Sequence, residues 1–258
     1  MAAERAEVGL GPGGSSLARD VTKCEAPLRK HGRPIQRGRS GSRSRGLERT
    51  WFPRRPRRPV AISGSTSGPP LVLVHGLLDT PAVFDGLKRE LGDRRQPLLI
   101  PALPLRLGAT PVLEAAALLG SHIEAAFGIE QPVDLLGFSM GGVIARAWIQ
   151  LSGGQRRTRR FISVGSPQQG TLTAQPWPSR LLAGIADLKW GSPLMQQLNA
   201  NLDSLRRIDC HSFYSGLDLV VLPGWRAVLP VGACTMLPVL THPQLLRDPA
   251  AIRPLAKD

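Results

Sequence analysis

The sequence predicts an α/β fold, a minimal and mostly parallel sheet with helices on both faces, and three observations carry that prediction. From residue 70 onward, short continuous apolar runs alternate with stretches of helical period, the pattern of a sheet buried on both sides. Two helical stretches open on the same start signal, Thr80-Pro81 and Thr110-Pro111. Gly137-Phe138-Ser139-Met140-Gly141 follows directly on the apolar run Val133-Asp134-Leu135-Leu136, so a strand meets a tight turn and then a helix.

Leu71 to His75 reads as the first strand. Val83, Phe84, Leu87 and Leu91 then share one helical face behind Thr80-Pro81. Pro97 to Ala102 is the next strand, and the helix opened by Thr110-Pro111 runs to about Phe127. Behind Ser139, Ile144, Ala147, Trp148 and Leu151 stripe a helix, and Phe161 to Val164, Ile208 to Tyr214 and Ala233 to Leu240 complete the strands. Residues 171 to 207 stand between two strands as a short cap insertion, with an apolar side made by Trp177, Leu181, Leu182, Ile185, Leu188 and Trp190. Such a cap either covers an acyl pocket or merely packs shut.

Charge divides the chain of 258 residues differently. Residues 1–60 hold 15 of the 33 Lys and Arg and 5 of the 19 acids, so +10 of the formal +14 lies there. Runs such as Arg54-Arg55-Pro56-Arg57-Arg58-Pro59 carry too little apolar surface to offset the entropy of ordering them. We therefore read 1–60 as a disordered basic tail and 61–258 as the folded domain. The tail has three competing readings: no role, a targeting peptide that directs the protein to an organelle, or a weak contact with polyanions or an anionic membrane. Gly9, Gly11 and Gly14 match a dinucleotide loop in spacing but have no strand before them, and Gly64-Ser65-Thr66-Ser67-Gly68 sits in a linker composition.

No apolar run approaches the roughly 20 residues of a membrane helix, and the expected location is the cytoplasm. Cys24, Cys210 and Cys234 form an odd set without metal-ligand spacing, read as reduced thiols. The sequence asks for no cofactor and no metal. It leaves the oligomeric state open.

The chemistry is that of an activated serine. The glycines flanking Ser139 let the turn close and raise the hydroxyl above the sheet, but a serine needs a base within reach and an acid to orient that base. His31 lies in the tail, His122 inside a helix, His211 inside a strand, and His75 at the end of the first strand. His242 remains, behind the last strand, at the carboxyl end of the sheet where ligands of open α/β folds bind. Asp218, in the turn Ser215-Gly216-Leu217-Asp218, is the matching acid, an ordinary turn aspartate being the competing reading. Asp203 and Asp209 stand before or at the start of the preceding strand, and Asp248 follows His242.

Together, His75-Gly76-Leu77-Leu78, Gly137-Phe138-Ser139-Met140-Gly141-Gly142 and Gly165-Ser166-Pro167-Gln168-Gln169-Gly170-Thr171 resemble the α/β-hydrolase superfamily, specifically its small lipase and esterase branch. The similarity covers residues 70 to about 250. It implies an α/β-hydrolase fold, the order Ser139, Asp218, His242, and an oxyanion hole made by the backbone amides of Leu77 and Met140. It also implies cleavage of a small-molecule carboxylic ester through an acyl-serine. The alternatives are an acyltransferase or thioesterase on the same triad, or a non-catalytic protein whose basic tail is its purpose. Two departures bear on substrate rather than fold: Phe138 where many relatives have histidine, and Gln168-Gln169 where the lipase turn has paired histidines.

Removal of residues 1–60 is expected to leave catalytic constants and melting temperature nearly unchanged, since no periodic apolar face is lost. It should abolish salt-sensitive retention on a polyanion resin. Loss of folding on truncation would show that Trp51, Phe52 or Val60-Ala61-Ile62 completes the domain.

Overall fold

A parallel strand pair needs a crossover between its members, and each crossover must cover one face of the sheet. The computed structural model, which describes residues 68–257, is laid out on that rule. Six strands, β1 Leu71–Val74, β2 Leu98–Leu99, β3 Val133–Phe138, β4 Thr158–Val164, β5 Asp209–Tyr214 and β6 Ala233–Met236, form one sheet in the order β2-β1-β3-β4-β5-β6. Every pair is parallel. The helices are α1 Asp85–Leu91, α2 Val112–Phe127, α3 Met140–Leu151, α4 Ala183–Asp187, α5 Pro193–Ala200, α6 Asp203–Arg206, α7 Gln244–Arg247 and α8 Pro249–Leu255. The predicted tail, with Trp51, Phe52, Cys24 and His31, lies outside the described residues.

Alternation within the strands sorts side chains between two apolar layers. Val72, Val74, Val133, Leu135 and Phe161 pack with α2, α3 and α5, while Leu71, Leu73, Leu136, Phe138 and Val164 pack with α1, α7 and α8. Two strands are shorter than expected. The segment from Pro97 pairs with β1 only at Leu98 and Leu99, because Pro97 and Pro101 bracket it and lack the N–H that a ladder uses. The last strand stops at Met236, two residues before Pro238.

α2 begins at Val112, and its cap is not the Thr110 side chain, which donates to the Pro104 carbonyl at 2.7 Å. The Val112 amide donates instead to Asp187 Oδ2, 2.9 Å away at the end of α4. α3 carries no simple apolar stripe, for it is buried all round from Met140 to Ile149. Cys210 is a buried free thiol, pushed up to about 12 mainly by burial. Among the described residues, no helix is long and apolar enough to cross a membrane.

Two buried charges tie the layers together. Asp134, fully buried at the amino end of β3, accepts from Arg95 at 2.5 Å and from Arg159 at 2.9 and 2.5 Å. Arg146, also fully buried, donates from α3 to Gln150 Oε1, the Gln168 and Leu198 carbonyls, and Asn199 Oδ1, at 2.6 to 2.9 Å. Burial lowers its guanidinium to about 9.

Arg146→Ala leaves these carbonyls without their donor in a dry interior, so it should cost about 2 to 4 kcal/mol in urea unfolding. Arg146→Lys should recover less than half, because one ammonium cannot span that spread of acceptors. An alanine variant as stable as the parent would mean that the network contributes nothing.

Candidate active site

The carboxyl ends of β1, β3 and β4 lie side by side, and three turns meet there. The turn after β3 holds Ser139 at φ 54, ψ −130, in the left-handed half of the map where a residue with a Cβ is strained by about 1 to 3 kcal/mol. The surroundings leave it no alternative. The Ser139 amide donates to the Val164 carbonyl at 2.9 Å, and its own carbonyl accepts from Gly142 at 3.1 Å. A Cβ on Gly141 would lie 2.1 Å from the Val74 carbonyl oxygen, so only glycine lets α3 start this close to β1. The Ser139 side chain is half-buried at this corner.

Asp218 and His242 arrive on the loops after β5 and β6. His242 Nδ1 and Asp218 Oδ2 are 2.6 Å apart, both residues being buried. Asp218 Oδ1 accepts from the Val220 and Val221 amides at 2.8 and 3.1 Å, which pins the carboxylate. With an acceptor-only carboxylate on its Nδ1 side, the neutral imidazole carries its proton there and leaves the Nε2 lone pair open. Nε2 is buried without a hydrogen-bond partner. The Phe138 ring stacks on the imidazole with centroids 4.8 Å apart, and a Cβ on Gly165 would come within 3.3 Å of His242 Cε1. Thus the residue before the serine and the turn after β4 hold the ring. Asp203 points to solvent in a pair with Arg206, and Asp248 caps α8 through the Ala250 amide.

The turn after β1 is fixed by His75. Its Nε2 accepts from the Leu103 amide at 3.1 Å, so the ring proton sits on Nδ1 and is donated to the Gly76 carbonyl at 3.0 Å. Because C=O and N–H of one peptide point oppositely, this bond aims the Leu77 amide away from His75. Met140 opens α3, and its amide has no i−4 partner within the helix. The Leu77 and Met140 side chains lie toward α4: a Cβ on Gly108 would lie 2.5 Å from Ile185 Cγ1 and 3.6 Å from Leu77 Cδ1, and one on Gly184 would lie 2.8 Å from Met140 Cε. Within 171 to 207, Ile185 and Leu188 pack inward, while Trp177, Leu181 and Trp190 are exposed.

One group at this corner was not singled out from the sequence. Asp79 is half-buried beside the Gly76 turn, and burial holds its carboxyl above the usual range against the pull of His75, His242, the Gly76 amide and Arg247. Its sequence position, just ahead of Thr80-Pro81, marks it only as an acid before a helix. Among the described residues, no group of three or more His, Cys, Asp or Glu side chains is placed to hold a metal ion.

A model of the palmitoyl protein thioesterase family matches residues 70–203, just over half of the chain. No curated protein matches it. Among solved structures, the chain is similar to the mature lipase BlEst2 of Bacillus licheniformis, at TM-score 0.61 and 15% identity over 77% of this chain and 96% of that one. The metagenomic carboxyl esterase MGS0156 superposes at TM-score 0.59 with 17% identity, over 78% and 76% of the two chains. The α/β hydrolase MGS-MChE2, from a lagoon-sediment metagenome, gives TM-score 0.54 and 21% identity over 74% and 90%. These likenesses establish the α/β-hydrolase fold.

Asp218→Asn tests the imidazole geometry directly. The amide oxygen should stay with the Val220 and Val221 amides, leaving NH₂ toward Nδ1 and driving the ring proton to Nε2. Nitrogen-15 NMR of the His242 ring should show the tautomer reversed relative to the parent, and an unchanged tautomer would contradict the assignment.

Proposed function

Since the chain belongs to the palmitoyl protein thioesterase family and has the α/β-hydrolase fold, we propose that it is a serine hydrolase that cleaves acyl esters and thioesters. The observation that carries this reading is the buried Asp218–His242 pair, with an unpartnered Nε2 on the imidazole, stacked on the Phe138 ring that precedes a serine held at positive φ. A hydroxyl alone is a poor nucleophile, and this arrangement supplies what it lacks.

In the proposed reaction, Ser139 Oγ attacks the acyl carbon while His242 Nε2 takes its proton. The imidazolium formed is stabilised by the Asp218 carboxylate, which keeps its own charge. The carbonyl oxygen becomes an oxyanion facing the Leu77 and Met140 amides, fixed dipoles worth several kcal/mol at the transition state in comparable sites. Collapse breaks the acyl–oxygen or acyl–sulfur bond, and His242 returns the proton to the departing alcohol or thiol. Water, deprotonated by the same imidazole, then attacks the acyl-serine and releases the acid. On this reading the acyl chain runs along the apolar side chains of Leu77, Met140 and Ile185, where the turn after β1 meets α4.

Ser139→Ala should fold as the parent does, fail to react with a fluorophosphonate probe, and lose about four to six orders of magnitude in turnover on short-chain acyl thioesters and esters. Asp218→Asn should lower turnover by about 10³ to 10⁴, whereas Asp203→Asn and Asp248→Asn should leave it almost untouched. Undiminished hydrolysis in the Ser139 variant ends the proposal.

A further inference from the structure

The group that protonates a leaving group also decides where that group lies. On the reading just given, the departing oxygen or sulfur takes its proton from His242 Nε2, so the leaving group must sit on the His242 side of the acyl carbon. That side is open. A cavity of about 440 Å³ runs from the loop after β1, past α1, to α7 just behind His242, and is lined by Leu78, Asp79, Val83, Arg89, Leu246 and Arg247, among others. The apolar side chains facing α4 belong to Leu77 and Met140 rather than to this cavity.

Charge in the cavity is unevenly committed. Asp85 accepts from Lys88 Nζ at 2.9 Å on the exposed surface of α1, while Arg89 Nε donates to the neutral Asp85 carbonyl and keeps its positive charge. Asp79 instead reaches toward the serine. The point that a Cβ would occupy on Gly76 lies 2.7 Å from Ser139 Cβ and 2.9 Å from Asp79 Oδ2, so the carboxylate is no further from the Ser139 Cβ than those two distances end to end. His75, His242 and Arg247 act on its charge, and Arg89 lines the same cavity.

We propose that Asp79 is a specificity-determining residue, whose negative charge close to Ser139 shifts selection toward acyl substrates with neutral or cationic leaving groups and away from anionic ones. The proposal rests on the serine-hydrolase reading and adds the leaving-group class. A unit charge about 12 Å from a carboxylate, in surroundings of effective dielectric about 40, changes the rate by about ten-fold between the two signs of leaving group.

The test uses three thioesters of one acyl group: with thiocholine, with 2-mercaptoethanesulfonate, and with the uncharged 2-methoxyethanethiol. The parent should favour the thiocholine ester over the sulfonate in kcat/KM by about ten-fold more than Asp79→Asn does, at low salt. The asparagine keeps an acceptor oxygen for the Gly76 amide, so turnover of the uncharged thioester should stay within about three-fold of the parent. A residue that only shaped the turn would move all three substrates together, and an unchanged ratio in Asp79→Asn overturns the proposal. If that variant does not fold, the parent decides: its preference should shrink from about 0.02 to 0.5 M salt, and a salt-independent preference is the contrary result. Cleavage of the uncharged thioester without charge discrimination removes the role of Asp79 alone. No cleavage of it, or cleavage that survives Ser139→Ala, removes the hydrolase reading and this proposal with it.

Discussion

Close backbone packing around Ser139 is the constraint on which the rest of the site depends. A serine at φ 54 is unfavourable by itself and persists because its neighbours permit no other path. β3 runs between β1 and β4, so the turn that leaves it is gripped from both sides, by the Val164 carbonyl on one and by the Val74 carbonyl against Gly141 on the other. The two apolar layers press on the same strand from above and below. The position of the hydroxyl is thus a property of the whole sheet, although five residues spell it.

The polar groups follow from the same layout. In a parallel sheet with both faces covered, ionisable groups can gather at the strand ends, and here each end has its own set. At the amino end, Asp134 is neutralised by two arginines and the arrangement is structural. At the carboxyl end, the Asp218 carboxylate is satisfied by two amides and one imidazole, which leaves a single unpartnered nitrogen. Arg146 stands between these ends, held by neutral acceptors, and fastens the helix behind the serine to the Gln168 turn and the end of α5.

What could be read from the sequence was whatever is local. β1, β3 and α2 announce themselves through uninterrupted apolar runs or a sustained period, and the turn at Ser139 through its glycines. β2 was overdrawn because apolar composition continues through Pro97 and Pro101, where the ladder cannot. The α2 cap was misplaced because its acceptor, Asp187, lies 75 residues away in the chain. Asp79 and Arg146 escaped notice for a related reason. Nothing within their own segments shows that one faces the Ser139 corner and the other an interior without a carboxylate partner. That Asp218 and His242 would meet could be anticipated because their loops follow strands, and the carboxyl edge of a parallel sheet is a place that connectivity alone defines.

Leu77 and Met140 divide their duties between backbone and side chain, and this shapes how the protein can evolve. On the proposed mechanism, residues 77 and 140 offer only their amides to the reaction, and the aim of the Leu77 amide is set by His75 rather than by leucine. Their side chains face α4, next to Ile185 and Gly184. Substitution at these two positions can therefore reshape the wall along an acyl chain while the chemistry stays in place. Position 141 has no such latitude, because any side chain there collides with the backbone of β1. If that mechanism holds, a lineage of this fold can diversify its acyl preference through the very residues whose amides face the oxyanion, while the turn at Gly141 stays fixed.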